Sequence, residues 1–342
     1  MTPAPSPIAA DQSARRPSEN HVWKWAVTIA LAGALLYLAL RGVEWKRVGA
    51  IIVHCRVRYL LLACSCGILA YIVRALRWRI LLSAREKLAP ATVLWASSVG
   101  YLANNYLPAR AGELVRTVMI SSRSQLSKAY VFTTAMTERV IELVVLVLMA
   151  WVGSLTVAHR PLWAGRLMLF VAVAAILATA FLLFLPKLDR ARAGLIARLP
   201  VSQRVRLWLH EIAESVTLAL ISLRDPSRLF QVCAVTAIVW TLDASAAVIM
   251  AHALGMRLLF PVALLLSTGL ALGNALPATP GAVGISQFVA VSVLMPFGFG
   301  QTDAIAFILV AQAGTYAVIT LLGLIGLWRY RVAGDAQARN LS

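Results

Sequence analysis

The chain has 342 residues, of which 60% are hydrophobic and 13% charged, with mean hydropathy +0.79 and net charge +18. Several windows reach the roughly 20 apolar residues that cross a bilayer, so a soluble enzyme is excluded and the class is an all-α polytopic membrane protein. The apolar runs are continuous and lack period-two alternation, which excludes a barrel. The positive charge is assigned to basic loops at the inner face of a membrane rather than to nucleic acid, because no nucleic-acid fold signature accompanies it.

Residues 1–22 are rich in Pro, Ser and Ala and carry Arg15 and Arg16. They are expected to form a disordered cytoplasmic tail rather than a cleavable signal, since no short apolar core with a cleavage site follows. Residues 23–330 are expected to form a single membrane domain. Full spans are predicted at about 23–41, 58–80, 129–156, 165–186, 229–254 and 304–328, followed by a cytoplasmic tail over 331–342.

Two further apolar segments, about 91–121 and 262–297, are too interrupted to be simple spans. Each is expected to form two half-helices that enter the membrane and turn back. Pro108 and Pro277 end the first half-helix, because proline lacks a donor and clashes with the preceding turn. Pro280, Gly112, Gly281 and Gly284 shape the breaks, the glycines by their backbone freedom. Irregular backbone at membrane depth is tolerated only where protein or a wet cavity surrounds it.

The two breaks are copies of one another. Ser98, Gly100, Asn105, Leu107, Pro108, Ala109 and Gly112 recur as Ser267, Gly269, Asn274, Leu276, Pro277, Ala278 and Gly281, all at a spacing of 169 residues. The same spacing carries the flanking spans onto one another. Residues 58–156 and 229–328 are therefore predicted as two repeats of span, broken hairpin, span, in inverted topology, a pattern that suits transport through a midplane site.

Between them, residues 187–228 form the one sizeable polar stretch. Val205, Leu209, Ile212, Val216, Leu220 and Leu223 recur at helical spacing, predicting an amphipathic linker helix on the cytoplasmic surface. Orientation follows from three basic clusters: Arg74, Arg77, Arg79, Arg85 and Lys87; Lys187, Arg190, Arg192, Arg198, Arg204 and Arg206; and Arg329 with Arg331. All fall on one side under a six-span count. That side, with both termini, is assigned to the cytoplasm of a bacterial inner membrane, against Lys46, Arg47 and Arg56 on the outer side.

Ionisable side chains at membrane depth are costly and mark candidate sites. Glu138 and Glu142 are four apart on one helical face, with Arg139 to one side. Arg110, Glu113 and Arg116 are three apart and follow the first break directly. Two readings stand for this set. The arginines receive a phosphate head group with their planar, permanently charged forks, or the glutamates neutralise the arginines and lock the hairpin in place. Asp243 lies within a span at the position matching Arg74, and either relays an ion or proton or pairs with an arginine. Asn104, Asn105, Asn274, Thr279, Gln287 and Gln312 supply neutral polar atoms near the breaks, for cargo or for freed backbone groups.

No cofactor or metal is expected. There is no lysine-bearing phosphate loop, no HExxH and no nucleophile elbow, the five histidines are scattered, and Cys55, Cys64, Cys66 and Cys233 form no CxxC pair. Catalysis is not expected either.

The run Asn105-Tyr-Leu-Pro108-Ala-Arg110-Ala-Gly112-Glu113-Leu-Val-Arg116, the Glu138-Arg139 pair inside a span, and Pro277-Ala-Thr279-Pro280-Gly281-Ala-Val-Gly284 together resemble the lysylphosphatidylglycerol synthase transmembrane-region family of flippase-like membrane proteins. The resemblance covers about 25–330. It implies movement of a lipid between leaflets, the cargo being a phospholipid, a hopanoid or a polyprenyl-linked lipid. In full-length synthases a separate soluble domain makes the aminoacylated lipid. This chain stops shortly after its last span, so aminoacyl transfer is not implied. Where the family's second motif continues to an acidic residue, this chain has Gln287. The alternative is a non-transporting subunit that presents a lipid to a glycosyltransferase or other lipid-modifying enzyme partner.

Overall fold

The computed structural model describes residues 30, 32–107, 111–156, 225–275 and 280–339, with scattered positions between 165 and 203. The described secondary structure is helical. A helical stretch over 32–40 is followed by α1 (Trp45–Val53), α2 (Val57–Leu82), α3 (Pro90–Tyr106), α4 (Gly112–Ser121) and α5 (Lys128–Ser154). Then come α6 (Pro226–Ala253), α7 (Phe260–Ala275), a 3-10 turn (Pro280–Ala282), α8 (Ile285–Leu294), a second 3-10 turn (Met295–Phe297) and α9 (Gln301–Arg339).

Local chemistry starts these helices. Pro90 and Pro226 stand in the first turn of α3 and α6, where a missing N–H costs nothing. Asp225 caps α6 by accepting from the Ser227 amide, and Ser127 caps α5 by accepting from the Tyr130 amide. Among the described residues, three helices are long and apolar enough to cross a membrane: Val57–Leu82, Pro226–Ala253 and Gln301–Val332, with mean hydropathy 1.9, 1.9 and 2.0. α5 has 27 residues but carries Glu138, Arg139 and Glu142 in its middle. The predicted span at 165–186 and the predicted amphipathic helix at 187–228 lie outside the described residues, apart from isolated positions and the start of α6.

Both interrupted segments are pairs of short helices. α3 and α7 have 17 and 16 residues, and α4 and α8 have 10 each. Ten residues rise about 15 Å, half the hydrocarbon thickness, so the shorter arms cannot cross alone. The 169-residue spacing carries α2 onto α6, α3 onto α7, α4 onto α8 and α5 onto α9, within a few residues at each end, except that α9 runs on to Arg339, 16 residues past Gly323, the counterpart of Ser154.

Among the described residues, the equivalent helices α2 and α6 form the most extensive helix pair. They run antiparallel. Near the start of α2, Tyr59 meets His252 edge-on with ring centroids 4.7 Å apart, while near its end Arg77 reaches Thr236. Equivalent helices pointing in opposite directions are what an inverted repeat requires. Each hairpin then crosses to the other repeat: α3 packs on α9, and α7 packs on α5. The first arm, α3, also touches the 3-10 turn at the second break, so the two breaks are neighbours.

Two apolar clusters fill the interior. One gathers Trp78, Leu82, Val93, Ile120 and Tyr130 around α2–α5, and the other gathers Leu266, Leu294, Ile305 and Phe307 around α6–α9. Exposed apolar side chains such as Leu61, Leu69, Phe230 and Leu321 leave a surface suited to lipid. The four cysteines are free and half-buried.

Candidate functional site

The first break is held by close backbone contact. The α3 and α4 arms meet at Gly100 and Gly112. A Cβ on Gly112 would overlap the carbonyl oxygen of Gly100, and one on Gly100 would stand 3.0 Å from that of Gly112. The Gly112 amide, left free at the start of α4, donates to the Asn104 side-chain oxygen at 2.8 Å. Asn105, the residue shared by both copies of the motif, is half-buried and its amide nitrogen has no partner among the described residues. Pro108 and Arg110 lie outside the described residues.

Immediately beyond the break, three elements converge their charges. α4 contributes Glu113 and Arg116, α5 contributes Glu138, Arg139 and Glu142, and α2 contributes Arg77. Arg77 is 0% exposed, Glu138 1% and Arg116 2%. Arg139 reaches Glu113 at 2.8 Å and Glu142 at 2.7 Å. Arg116 reaches Glu113 at 2.5 Å and Glu138 at 3.0 Å. Arg77 reaches Glu138 at 2.8 Å and Glu142 at 3.6 Å. The six residues form a closed ring of alternating sign, in which every carboxylate touches two guanidiniums and every guanidinium two carboxylates. Helical periodicity makes this possible: three- and four-residue steps on α4 and α5 put their members on facing sides.

Arg74 extends the ring. It lies 3.8 Å from Glu142 and is ion-paired to Asp243 of α6, its own counterpart in the other repeat. Four arginines and four carboxylates balance. Aromatic faces line the same region: Arg116 stacks on Trp78, Arg74 on Tyr71, and Tyr71 meets Tyr101 edge-on. Arg139 is the most open member, its side chain 33% exposed, and it lies 6.0 Å from the Tyr101 ring centre.

Arg74 and Arg77 correct the sequence reading, which grouped them with Arg79, Arg85 and Lys87 as a basic cluster beyond the second span. α2 runs to Leu82, so the two arginines sit within the helix, Arg77 buried and Arg74 half-buried, paired to acidic groups of α5 and α6. Their removal weakens that cluster as an orientation signal. Asp243 is brought to Arg74, one of its two anticipated roles. The signal for Arg77 was its position three residues past Arg74, one helical turn on, which puts it on the same face.

The second break is built from neutral groups. Gly281 has φ +70° and Gly284 φ +92°, conformations that a Cβ would strain. The Gly284 amide donates to the Gln287 side-chain oxygen at 2.7 Å, the Gln287 amide donates to Gln312 at 2.6 Å, and Gln312 donates to the Gly281 carbonyl at 3.3 Å. The Tyr316 hydroxyl donates to the same carbonyl. Asn274 is exposed at the end of α7. Pro277 and Thr279 lie outside the described residues, and Pro280 opens the 3-10 turn.

The sequence matches a family model described as the lysylphosphatidylglycerol synthase TM region over residues 25–323. No curated protein matches the chain.

Proposed function

Because this chain belongs to the lysylphosphatidylglycerol synthase transmembrane-region family, we propose that it is a lipid translocase of a bacterial inner membrane, with both termini cytoplasmic. In this reading it moves a lipid with a phosphate or other polar head group between leaflets and performs no catalysis itself. Residues 58–156 and 229–328 act as the two repeats of one membrane domain over 23–330. The observation that carries the reading is the closed charge ring beside the first break. Eight ionisable groups at membrane depth are expensive, and such groups line pathways more often than they merely hold helices together. A structural lock alone needs fewer, since burying a balanced set seldom stabilises more than apolar packing of similar volume.

The ring supplies what a passing head group needs. A phosphate that reaches Arg139 finds a bidentate donor fork already oriented by Glu113 and Glu142. Arg110, two residues before Gly112, is assigned a second contact to the head group, and Arg116 and Arg77 stay paired behind it. Asn105, Asn274 and Thr279 contribute neutral contacts as the head group passes the neighbouring breaks. The acyl chains remain in the bilayer, so only the head group requires a polar route.

The test is leaflet movement of head-group-labelled phospholipids and polyprenyl phosphates in proteoliposomes. The expected result is movement above protein-free liposomes that is lost in Arg110→Ala and Arg139→Gln. No movement with any lipid class would overturn the reading and favour a subunit that presents lipid to a modifying enzyme.

A further inference from the structure

The two repeats agree closely at their α2–α6 seam and disagree at their hairpins. At the α3–α9 interface Gly326 faces the Trp95 backbone: a Cβ on Gly326 would stand 3.0 Å from the Trp95 carbonyl oxygen and 3.6 Å from its Cα. At the α7–α5 interface Gly153 faces Pro261, whose Cα would stand 3.6 Å from an added Cβ. The 169-residue spacing gives Gly153 the counterpart Leu322, and Pro261 the counterpart Thr92. The two approaches therefore differ by four residues on the long helix and three on the hairpin arm, and because the helices run antiparallel these add to a register difference of about seven residues, roughly 10 Å or two turns.

Arg74 and Asp243 are different in kind. Each is the other's counterpart, so their ion pair lies on the two-fold axis that relates the repeats. Exchanging the conformations of the two repeats leaves such a contact unchanged. The same exchange replaces the Trp95–Gly326 approach by one between Thr92 and Leu322. Inverted-repeat transporters alternate their access by this kind of exchange, and packed helices move in whole-turn steps because their interfaces are bistable.

We propose that the Arg74–Asp243 pair is the fixed point of the transport cycle, and that α3 slides about two turns, roughly 10 Å, along α9 while α7 slides as far along α5 in the opposite sense. Arg74 and Asp243 are positioning residues in this scheme. The proposal rests on the translocase reading above, and its experiment separates the two.

In a chain whose four native cysteines are replaced, Thr92→Cys with Leu322→Cys probes the other state. Leu102 lies against Gly323, and the Tyr106 hydroxyl bonds Thr320 at 2.9 Å, so α3 and α9 run antiparallel. Thr92 then falls near the level of residue 329, about 10 Å along the axis from Leu322 and beyond disulfide reach. Arg56→Cys with Ala253→Cys is the companion pair on the α2–α6 seam, where the Arg56 amide donates to the Ala253 carbonyl at 2.9 Å. The expected result is that both disulfides form in oxidised membranes. The first abolishes lipid movement until it is reduced, and the second leaves movement within about twofold of the reduced protein. Lipid movement with no 92–322 disulfide overturns the sliding scheme, as does arrest by the 56–253 disulfide. Because cross-linking is read on a gel, a 92–322 disulfide in a protein that moves no lipid supports the sliding and counts against the translocase reading alone.

Discussion

The two repeats share a backbone plan and differ in the chemistry laid on it. Around the first break stand Arg77, Glu113, Arg116, Glu138, Arg139 and Glu142. Their counterparts in the second repeat are Ala246, Ala282, Ile285, Phe307, Ile308 and Ala311, all apolar or small. There Ile285, Phe307 and Ile308 are buried as ordinary packing residues, and the second break is tied instead by Gln287, Gln312 and Tyr316. Symmetry of fold therefore does not extend to symmetry of site. A hairpin can be closed with three neutral side chains, so the seven charges that the first half gathers exceed what closure alone demands. A function grafted on one copy of a duplicated scaffold accounts for that excess.

The largest expected effect that sharpens this contrast is at Glu138. Glu138→Gln strips two buried guanidiniums, Arg77 and Arg116, of the carboxylate they share. Removing one partner of a buried pair costs about 3–5 kcal/mol, so thermal unfolding in detergent is expected well below that of the wild type. An unchanged midpoint would mean that the ring is not formed in the folded protein. Next come the hairpin arms. Gly112→Ala forces backbone apart at Gly100 and is expected to cost about 1–3 kcal/mol, whereas Gly67→Ala, which meets open space, is expected to be nearly silent. Equal midpoints for the two variants would contradict the close approach of α3 and α4.

On the neutral side, Gln287→Leu leaves the Gly284 amide and the Gln312 side chain without their partner, an expected loss of about 1–3 kcal/mol. It should fall below the Glu138→Gln effect, and the reverse order would remove the distinction between the halves. The smallest effect is expected at Arg47, whose exposed pair with Asp303 lies at 3.0 Å across the surface from α1 to α9. Arg47→Ala should shift stability by about 0–1 kcal/mol, and less still in high salt.

Much of the architecture was legible in the sequence because proline, glycine and the 169-residue repeat leave marks that apolar composition does not blur. Pro108 with Gly112, and Pro277 with Gly281, announced the breaks before any helix was placed. Glu113, Arg116, Glu138, Arg139 and Glu142 stood out because a charge inside an apolar run has few innocent explanations. Arg74 and Arg77 did not stand out. They lie in the last third of the predicted 58–80 span and are followed by Arg79, Arg85 and Lys87, so they read with those as inner-face charges until the structure turns them onto the carboxylates of α5 and α6. The closure of the ring was equally hidden. Which glutamate serves which arginine depends on how α2, α4 and α5 face one another, and no single-helix periodicity carries that information. The match between Arg74 and Asp243 was visible as a spacing, but that two counterparts touch requires their helices to cross on the repeat axis.

The most direct measurement compares the halves in one assay: the rate of head-group-labelled lipid movement in proteoliposomes for Arg139→Gln and for Gln287→Leu, each normalised to its folded fraction. A polar path seated in the first repeat predicts at least a tenfold loss for Arg139→Gln and a loss of no more than about twofold for Gln287→Leu. Equal rates in the two variants, or a larger loss in Gln287→Leu, would contradict it.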